Sequence, residues 1–406
     1  MDILFVHNNF PAQFVHLAPA LRARGHRVVA IADKVARGLP GVPMGKYEAK
    51  HVRPGELRHT HRFQTHVERG LAAAVVARKL AAEGFRPDLI FGHVGWGETL
   101  FMKDVWADAR VALYAEFYYA GRGLDVGFDP TLNEGGPEME MLVRARNASF
   151  ALAMAQTDFA LAPTEFQRSV FPPCFRDRIV VQHDGVDCDA LGPREDASFA
   201  LTDGRVLTRA DEVVTYVNRH LEPMRGVHIF LRALPKVLAA RPNAQVVMIG
   251  ADSGKQYGPS APKGKTWKQV FLDEVGDALD LSRVHFVGAL QRQRFLDALA
   301  VSKAHVYLTF PFPLSWSLVD AMAMGCAIIA SNTPPVVEAI RQRENGVLVD
   351  FFDHGALADA IVAALADPQA MAPLRVQARR DAQARYDLKT VCLPRLIDLT
   401  ESWARA

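Results

Sequence analysis

The sequence begins Met1-Asp2-Ile3-Leu4-Phe5-Val6-His7-Asn8-Asn9-Phe10-Pro11, and this stretch with the two segments after it decides the fold. Four consecutive apolar residues followed by a polar turn are typical of a strand that is buried on both faces of a sheet. Between residues 14 and 21, apolar residues recur at the spacing of one helix face, and Gly25 ends that helix. The next apolar run, 28–31, completes a strand–helix–strand unit, which predicts a parallel sheet with a right-handed crossover.

The same alternation continues along the chain. Apolar runs of strand length recur in two successive series, at 89–91, 111–114, 159–162 and 179–181, and then at 213–217, 246–250, 284–288, 305–308, 327–330 and 346–349. This α/β pattern predicts two Rossmann-like, doubly wound parallel-sheet domains, 1–195 and 205–378, followed by a helical segment, 379–406. The polar, turn-rich stretch of about 190–211 is predicted to be the hinge.

Composition narrows the class of protein. The 406 residues are 50% hydrophobic and 23% charged, with a formal net charge of +2, so a dedicated nucleic-acid binder is not expected. No apolar run approaches the roughly 20 residues of a membrane-spanning helix, and the acidic second residue is unlike the cationic start of a secretory signal. We expect a cytoplasmic protein without disulfides or a zinc knuckle, because the four cysteines lie far apart: Cys174, Cys188, Cys326 and Cys392.

Two segments carry candidate ligand chemistry. Asn218–Gly226 follows a strand and places Arg219 and Arg225 in a loop that opens a helix, where two guanidinium groups and the helix N-terminus suit a diphosphate. An ordinary solvated loop is the alternative. In 310–325 a strand end leads into a helix that carries Asp320, which could accept hydrogen bonds from a vicinal diol or could complement the helix dipole. Trp316 could equally be a core residue.

These segments resemble the retaining glycosyltransferases of family 4, which have the GT-B architecture of two Rossmann-like domains facing each other across a cleft. Arg219 and Arg225 match the family's two basic residues, with arginine in place of lysine at the second. Asp320 matches the second acid of the family's Glu-x7-Glu element and precedes Ala-Met-Ala-x-Gly, as the family pattern requires. Further matches lie at 182–187, 326–331, 337–340 and 344–349.

The resemblance implies a nucleotide-sugar donor site in 205–378 and an acceptor site in 1–195, with 379–406 packing back on the first domain. Arg219 and Arg225 would hold the diphosphate and neutralise charge on the departing nucleotide, and Asp320 would hold the ribose hydroxyls. Five further residues would contact the phosphates, the donor sugar or the base: Ser315, Trp316, Ser317, Gly288 and Leu290. Neither a metal nor another cofactor is expected, because cationic side chains and helix dipoles replace them in this architecture.

One departure from the family pattern is prominent. The first acid of Glu-x7-Glu falls at Phe312, which cannot accept a hydrogen bond from a sugar hydroxyl. Three interpretations follow. We favour a divergent subgroup that binds the donor through other contacts. The alternatives are a different donor sugar and an impaired enzyme.

The first domain matches the family more loosely. Asn9 and Gln13 lie where the family has a glycine turn that approaches donor and acceptor, and a plain loop is the alternative. Glu116 takes the place of a family histidine at a strand end, and Tyr118 could form an aromatic platform for a sugar or belong to the core. His93 lies at a turn where the family is rich in histidine, although a single histidine is usually structural.

Two further stretches are polar. Histidines and arginines alternate from His51 to His66, for which we expect a solvated helix, with an anionic acceptor or membrane-surface patch as the alternative. Residues 251–268 are rich in glycine and lysine without the ordered spacing of a phosphate-binding P-loop, and they predict a mobile, lysine-bearing loop.

The expected activity is transfer of a sugar, of hexose type, from a nucleotide diphosphate sugar to a hydroxyl acceptor with retention and without a metal. The leaving phosphate would assist the acceptor's proton. The acceptor would be a glycan, a lipid-linked molecule or a small molecule, so contact with the inner face of a membrane stays open. A sugar-nucleotide epimerase and a non-catalytic nucleotide-sugar binding protein of the same fold are the alternatives.

Overall fold

The computed structural model describes residues 1–55, 57–132, 135–254 and 256–406. Contacts divide these residues into two compact units. The first holds 1–130, 135–185 and 389–406, and the second holds Val186–Leu388 with residues 131 and 132.

The first unit is built on a sheet of seven parallel strands in the order β3-β2-β1-β4-β5-β6-β7. The strands are β1 Asp2–Val6, β2 Arg27–Asp33, β3 Met44–Tyr47, β4 Leu89–His93, β5 Arg110–Tyr114, β6 Phe159–Ala162 and β7 Ile179–Val181. Ile3–Val6 is completely buried. The predicted two-faced burial of this strand is therefore confirmed.

Helices cover this sheet. They are α1 Leu17–Ala23, α2 His61–Ala82, α3 Met102–Val105, α4 Pro137–Arg146, α5 Ala148–Ala155, α6 Glu165–Ser169 and α7 Pro173–Arg176. The chain's last helix, Leu393–Arg405, also belongs to this unit. Its Trp403 stacks on Phe159 with ring centroids 5.4 Å apart, and Glu401 binds Arg24 at 2.6 Å and His26 at 2.9 Å. Apolar packing and one partly buried ion cluster therefore hold the last helix on the sheet.

The second unit begins with a two-stranded antiparallel hairpin, β8 Ser198–Ala200 with β9 Val206–Thr208. Its main sheet has six parallel strands in the order β12-β11-β10-β13-β14-β15. These are β10 Val213–His220, β11 Gln245–Ala251, β12 Val284–Gly288, β13 Ala304–Tyr307, β14 Ile328–Ser331 and β15 Val347–Val349. The helices are α8 Val227–Ala240, α9 Trp267–Val275, α10 Arg292–Val301, α11 Trp316–Ala323, α12 Pro334–Val337, α13 His354–Ala366 and α14 Ala372–Tyr386. Leu393–Arg405 in the first unit is then α15.

The limits of the units differ from the predicted domain limits at 195 and 379. The backbone N–H of Val186 donates to Tyr386 O at 2.8 Å, and the N–H of Leu388 donates to Val186 O at 2.8 Å. These bonds tie 186–195 and 379–388 to the second unit. The segment predicted to be a polar hinge carries the β8–β9 hairpin, whose Phe199 and Leu207 are buried in the core of that unit. A terminal segment does pack on the first unit, but it is α15 rather than all of 379–406.

In the part of the chain that the structure describes, no helix combines the length and the apolar character that crossing a bilayer requires.

Candidate functional site

The carboxyl edge of the second sheet holds the two predicted phosphate arginines. Arg225 follows β10, and its Nη1 donates to Thr309 Oγ1 at 2.8 Å and to Pro313 O at 3.2 Å. The Tyr216 hydroxyl donates to the backbone oxygen of Arg225 at 2.6 Å. Neutral groups therefore hold the guanidinium, and among the described residues no carboxylate forms an ion pair with it.

Arg219 is the next-to-last residue of β10, and it is exposed. Within the described ranges its side chain makes no hydrogen bond or ion pair. The acid nearest in sequence to both arginines is Glu222, which is 1% exposed and accepts a 2.7 Å hydrogen bond from the Tyr257 N–H. Burial raises the pKa of Glu222 to about 7, although the charges of Arg225 and Arg219 act in the opposite direction. With a pKa of about 7, this carboxyl group is only partly ionised at neutral pH, so it offsets the arginine charge only in part.

The start of α11 lies at the same edge, because α11 follows β13. Ser315 caps the helix by accepting a 3.3 Å hydrogen bond from the Ser317 N–H, and the two hydroxyl oxygens are 2.9 Å apart. The Ser315 N–H donates to Tyr307 Oη at 2.9 Å. Trp316 is 46% exposed. The core alternative for Trp316 is therefore wrong.

Asp320 is buried in α11 and already has a cationic partner. Arg292 Nη1 lies 2.5 Å from Asp320 Oδ2, and Nη2 lies 2.7 Å from Oδ1, a bidentate pair in which the acid is 4% and the arginine 56% exposed. Sequence reasoning missed Arg292. The available signal was an arginine at the start of the helix that follows β12, on the same edge as Asp320.

The other predicted donor residues surround this edge. Gly288 ends β12 with a φ of +67°. A Cβ added to this glycine would have no described heavy atom within 4 Å. Leu290 is partly buried against the core. Phe312 is 5% exposed, its ring centroid lies 5.4 Å from Arg225 Cζ, and the Tyr257 ring is 5.1 Å away. An aromatic ring therefore covers one side of the Arg225 guanidinium.

At the carboxyl edge of the first sheet, His93 and Glu116 lie together. The Gly95 N–H donates to His93 Nδ1 at 2.9 Å, which leaves the proton of the neutral ring on Nε2. That nitrogen lies 3.5 Å from Glu116 Oε2. The side chain of Glu116 is 41% exposed, so the pair joins a buried imidazole to an accessible carboxylate.

His7 was not predicted and adjoins this pair. It directly follows β1, its Nδ1 accepts the Asn9 N–H at 3.0 Å, and its ring lies 5.3 Å from that of His93. Burial lowers the pKa of His7 well below its ordinary value, with a further lowering by His93. Asn9 itself is exposed, and Gln13 Oε1 is buried without a hydrogen-bond partner in the described part of the chain.

Tyr118 lies farther into the first unit's core. Its ring packs against Phe171 at 5.5 Å and Phe150 at 6.4 Å, with the side chain only partly exposed. Sequence reasoning also missed Tyr114, whose hydroxyl donates to Asp184 Oδ2 at 2.7 Å. Tyr114 ends β5 and Asp184 follows β7, so the signal was again a polar residue at a strand end.

The histidine-rich and arginine-rich stretch is only partly a solvated helix. The α2 helix begins at His61, and His66 in it is 4% exposed, with Nδ1 2.6 Å from Ser149 Oγ. Burial and three nearby arginines lower the pKa of His66 to about 3. The expectation of solvation is therefore wrong for His66.

The lysine-bearing stretch 251–268 is anchored at two points. Lys268 pairs with Asp252, and Lys265 Nζ lies 2.7 Å from Asp273. Lys255 lies outside the described residues. Over the residues that the structure describes, no group of three or more His, Cys, Asp or Glu is placed to hold a metal ion.

Comparison with known proteins gives one match for each unit. Residues 24–191 match the family described as Glycosyl transferase family 4 group, and residues 205–385 match the family described as Glycosyl transferases group 1. A phosphatidyl-myo-inositol mannosyltransferase from Mycobacterium tuberculosis is 29% identical over 211 residues, which make up 51% of this chain and 50% of that protein. The match thus spans about half the length of this curated relative.

Solved structures match over nearly the whole chain. Sucrose-phosphate synthase from Thermosynechococcus elongatus has a TM-score of 0.74 at 17% identity, with 100% of both chains covered. The Anabaena protein HepE in complex with UDP-glucose has a TM-score of 0.64 at 17% identity, covering 99% of this chain and 100% of the other. At these identities the likeness shows the fold. The two doubly wound parallel sheets and these likenesses define a GT-B protein. The matches within each unit then place it further: 24–191 and 205–385 are both glycosyltransferase-family regions, and together they make up most of the chain.

Proposed function

We propose that this chain is a retaining glycosyltransferase that moves a sugar from a nucleotide diphosphate sugar to a hydroxyl acceptor. The observation that carries the proposal is the pair Arg219 and Arg225, two guanidinium groups at the carboxyl edge of β10 without an acid partner among the described residues. Ligands of parallel α/β sheets bind at this edge. The structure of HepE, which shares the fold, contains bound UDP-glucose, and this supports a nucleotide sugar as the donor.

In this mechanism the bond between the sugar's anomeric carbon and the phosphate oxygen breaks, and negative charge grows on the diphosphate. Arg219 and Arg225 stabilise that charge. Arg225 needs little reorganisation, because Thr309 and Pro313 already hold it in place. Glu222 supports the same state when it is protonated, since it then adds no negative charge beside the leaving group.

The remaining donor contacts follow from the same edge. Ser315, Trp316 and Ser317 at the start of α11 face the phosphates or the sugar, and Gly288 with Leu290 flanks the base. Asp320 and Arg292 together hold the ribose hydroxyls. Arg292 orients the carboxylate, and the half-exposed guanidinium also presents donors of its own.

The acceptor contacts come from the first unit. Glu116 and His93 bind the acceptor hydroxyl, with Asn9, Gln13 and Tyr118 around the sugar. The new bond forms on the face that the phosphate leaves, and a phosphate oxygen takes the acceptor's proton. Retention then requires no separate catalytic base, and charge neutralisation by the arginines requires no metal. We assign the chain to a divergent subgroup in which Phe312 replaces the first acid.

Nucleotide binding tests the phosphate assignment. We expect Arg219→Ala and Arg225→Ala each to weaken binding of the matching nucleoside diphosphate about 10- to 100-fold, the value of one charged hydrogen-bonding group, while binding of the free nucleoside stays unchanged. Arg232→Ala is the matched control, because Arg232 lies in α8 of the same unit and pairs with Glu274 at 2.6 Å. UDP, GDP and ADP are screened first by calorimetry to find the base.

Three outcomes separate the alternatives. Equal losses for the diphosphate and the nucleoside would refute the phosphate role of the arginines. Binding without turnover on any acceptor or water would favour a non-catalytic binding protein. Conversion of the nucleotide sugar to an epimer without an acceptor would favour the epimerase.

A further inference from the structure

Three arginines gather on the first unit at a place that the proposed function leaves unused. Arg62 and Arg69 lie on α2, one on each side of His66, and Arg146 ends α4. The His66 ring stacks on Phe150 with centroids 5.9 Å apart, the Phe150 ring lies 5.9 Å from that of Tyr119, and the Arg146 guanidinium lies over the Tyr119 ring. In agreement with this arrangement, the positive charges of all three arginines lower the pKa of His66. The three side chains therefore share one neighbourhood.

No acid compensates this cluster directly. None of the three guanidinium groups makes an ion pair or a hydrogen bond within the described ranges. Two carboxyl groups come near: Glu98, which is fully buried and accepts the Tyr47 hydroxyl at 2.6 Å, and Asp125 beside Arg146. Burial raises the pKa of Asp125 to about 6. Three permanent cations thus have one fully buried and one partly buried carboxyl group near them among the described residues.

Aromatic rings hold two of the guanidinium groups. Arg146 Cζ lies 3.6 Å above the Tyr119 ring, and Arg69 Cζ lies 5.9 Å from the Trp96 ring centroid. Asn147 fixes the backbone of Tyr119 from both sides, donating to its oxygen at 2.6 Å and accepting from its N–H at 3.3 Å. Stacking preorganises a guanidinium while leaving its N–H edge available.

The cluster continues into the acceptor side of the candidate site. The Trp96 ring lies 5.8 Å from the His93 ring, and the buried Trp96 Nε1 has no hydrogen-bond partner among the residues that the structure describes. The Trp96 ring therefore connects Arg69 to His93. A phosphate ester is the chemistry that planar, bidentate arginine donors bind best.

We propose that Arg62, Arg69 and Arg146 form an anion site that binds the phosphate group of a phosphorylated acceptor, with its hydroxyl directed to His93 and Glu116. This inference rests on the proposed function, because it names the acceptor class of that site. The phosphate belongs either to a soluble sugar phosphate or to a phospholipid headgroup, and the two sources share the same recognition chemistry.

Binding of small phosphate esters tests the site. Calorimetry with glucose 6-phosphate and glycerol 3-phosphate is compared with glucose and glycerol, which lack the charge. We expect the phosphate esters alone to bind, and we expect Arg69→Gln and Arg146→Gln each to weaken that binding at least 10-fold. Arg146→Lys keeps the positive charge but loses the planar, bidentate donor geometry of the guanidinium group, so it should bind more tightly than Arg146→Gln and less tightly than the native chain. Arg78→Gln, an exposed arginine farther along α2, is the matched control.

A second arm identifies the source. Vesicles of phosphatidylcholine with or without phosphatidylinositol are sedimented with the chain. Association that needs phosphatidylinositol and is lost in Arg146→Gln supports a lipid headgroup, whereas binding of the soluble esters alone supports a sugar phosphate.

The test separates this inference from the proposed function, because nucleoside diphosphate binding is measured on the same variants. Unchanged nucleotide binding in Arg69→Gln and Arg146→Gln is expected. If neither the esters nor the anionic vesicles bind while a nucleotide does, the anion site is refuted and the transferase proposal stands. Equal weakening by Arg78→Gln would also refute it. If the esters bind and no nucleotide does, the anion site stands without the proposed transfer.

Discussion

Replacing Glu222 with glutamine should remove most of the pH dependence of stability that this buried acid causes. Glu222 is 1% exposed and has one hydrogen bond, from the Tyr257 N–H. A glutamine side-chain oxygen can accept the same bond, so the variant changes the ionisation while it preserves the contact. Because the residue sits between Arg219 and Arg225 in sequence, the measurement also probes the charge balance of the candidate phosphate site.

The magnitude follows from the pKa of this group. Burial raises the pKa of Glu222 from 4.5 to about 7, so the folded chain holds the proton more tightly than the unfolded chain does. The resulting stabilisation is fully present below pH 4.5 and is lost as the pH rises through about 7. At ~1.4 kcal/mol for each tenfold change in proton affinity, the loss amounts to ~3 kcal/mol. Glu222→Gln should therefore match the native chain near pH 4.5 and exceed its stability by up to ~3 kcal/mol above pH 8.

Urea unfolding of the full chain between pH 4.5 and 8.5 provides the assay, with hydrogen exchange of peptides from β10 and β11 to assign the transition to the second unit. Glu195→Gln is the control, since the Glu195 side chain is 90% exposed in the same unit. A stability difference that stays constant across this pH range would show that Glu222 ionises normally and would refute the argument.

Three further changes have defined outcomes. Gly226 has φ +72°, and a Cβ there would lie 2.5 Å from Leu308 Cβ, so Gly226→Ala should lower the unfolding free energy by ~1–3 kcal/mol. The effect should exceed that of Gly204→Ala, because Gly204 has φ +89° but open space around it. Thermal unfolding that ranks the two variants in the opposite order would contradict this. Arg292→Ala should destabilise more than Asp320→Asn in urea, because it leaves the 4% exposed carboxylate unpaired, whereas the 56% exposed arginine can return to water. Arg24 and His26 lower the pKa of Glu401 to about 2, so the stability that this carboxylate contributes is present above pH 4.5 and is lost as the pH falls through about 2. Glu401→Gln should accordingly lower Tm at pH 7, with the difference shrinking towards pH 2, and a difference independent of pH would show that the charge is irrelevant.

The sequence was sufficient to predict the parallel strands that are buried on both faces, because such strands form continuous apolar runs. It was insufficient for β3 and for the β8–β9 hairpin. Met44–Tyr47 contains a glycine and a lysine and is only partly buried, and each hairpin strand has three residues with one buried side chain. Short edge elements of this kind are specified by the surface they pack on, which local patterns do not reveal.

The sequence predicted that Arg219 and Arg225 lie around the end of a strand and that Asp320 lies in a helix, and the structure places them there, while their roles stay predictions. The candidate site was not predictable where function depends on pairing across the fold. Arg292 meets Asp320 because β12 and β13 end at the same edge, and Tyr114 meets Asp184 because β5 and β7 flank β6. Such pairings require the strand order, which a single sequence does not contain.

The aromatic side chain of Phe312 affects the electrostatics around Arg225. The side chain at this position is buried, and it lies against the guanidinium of Arg225. A carboxylate placed there would be drawn into an ion pair with Arg225 and would neutralise it. The aromatic ring instead offers only its π face, while Thr309 and Pro313 supply neutral acceptors. Arg225 therefore keeps a full positive charge in a fixed orientation. An aromatic side chain at position 312 thus strengthens the local preference for an anionic ligand.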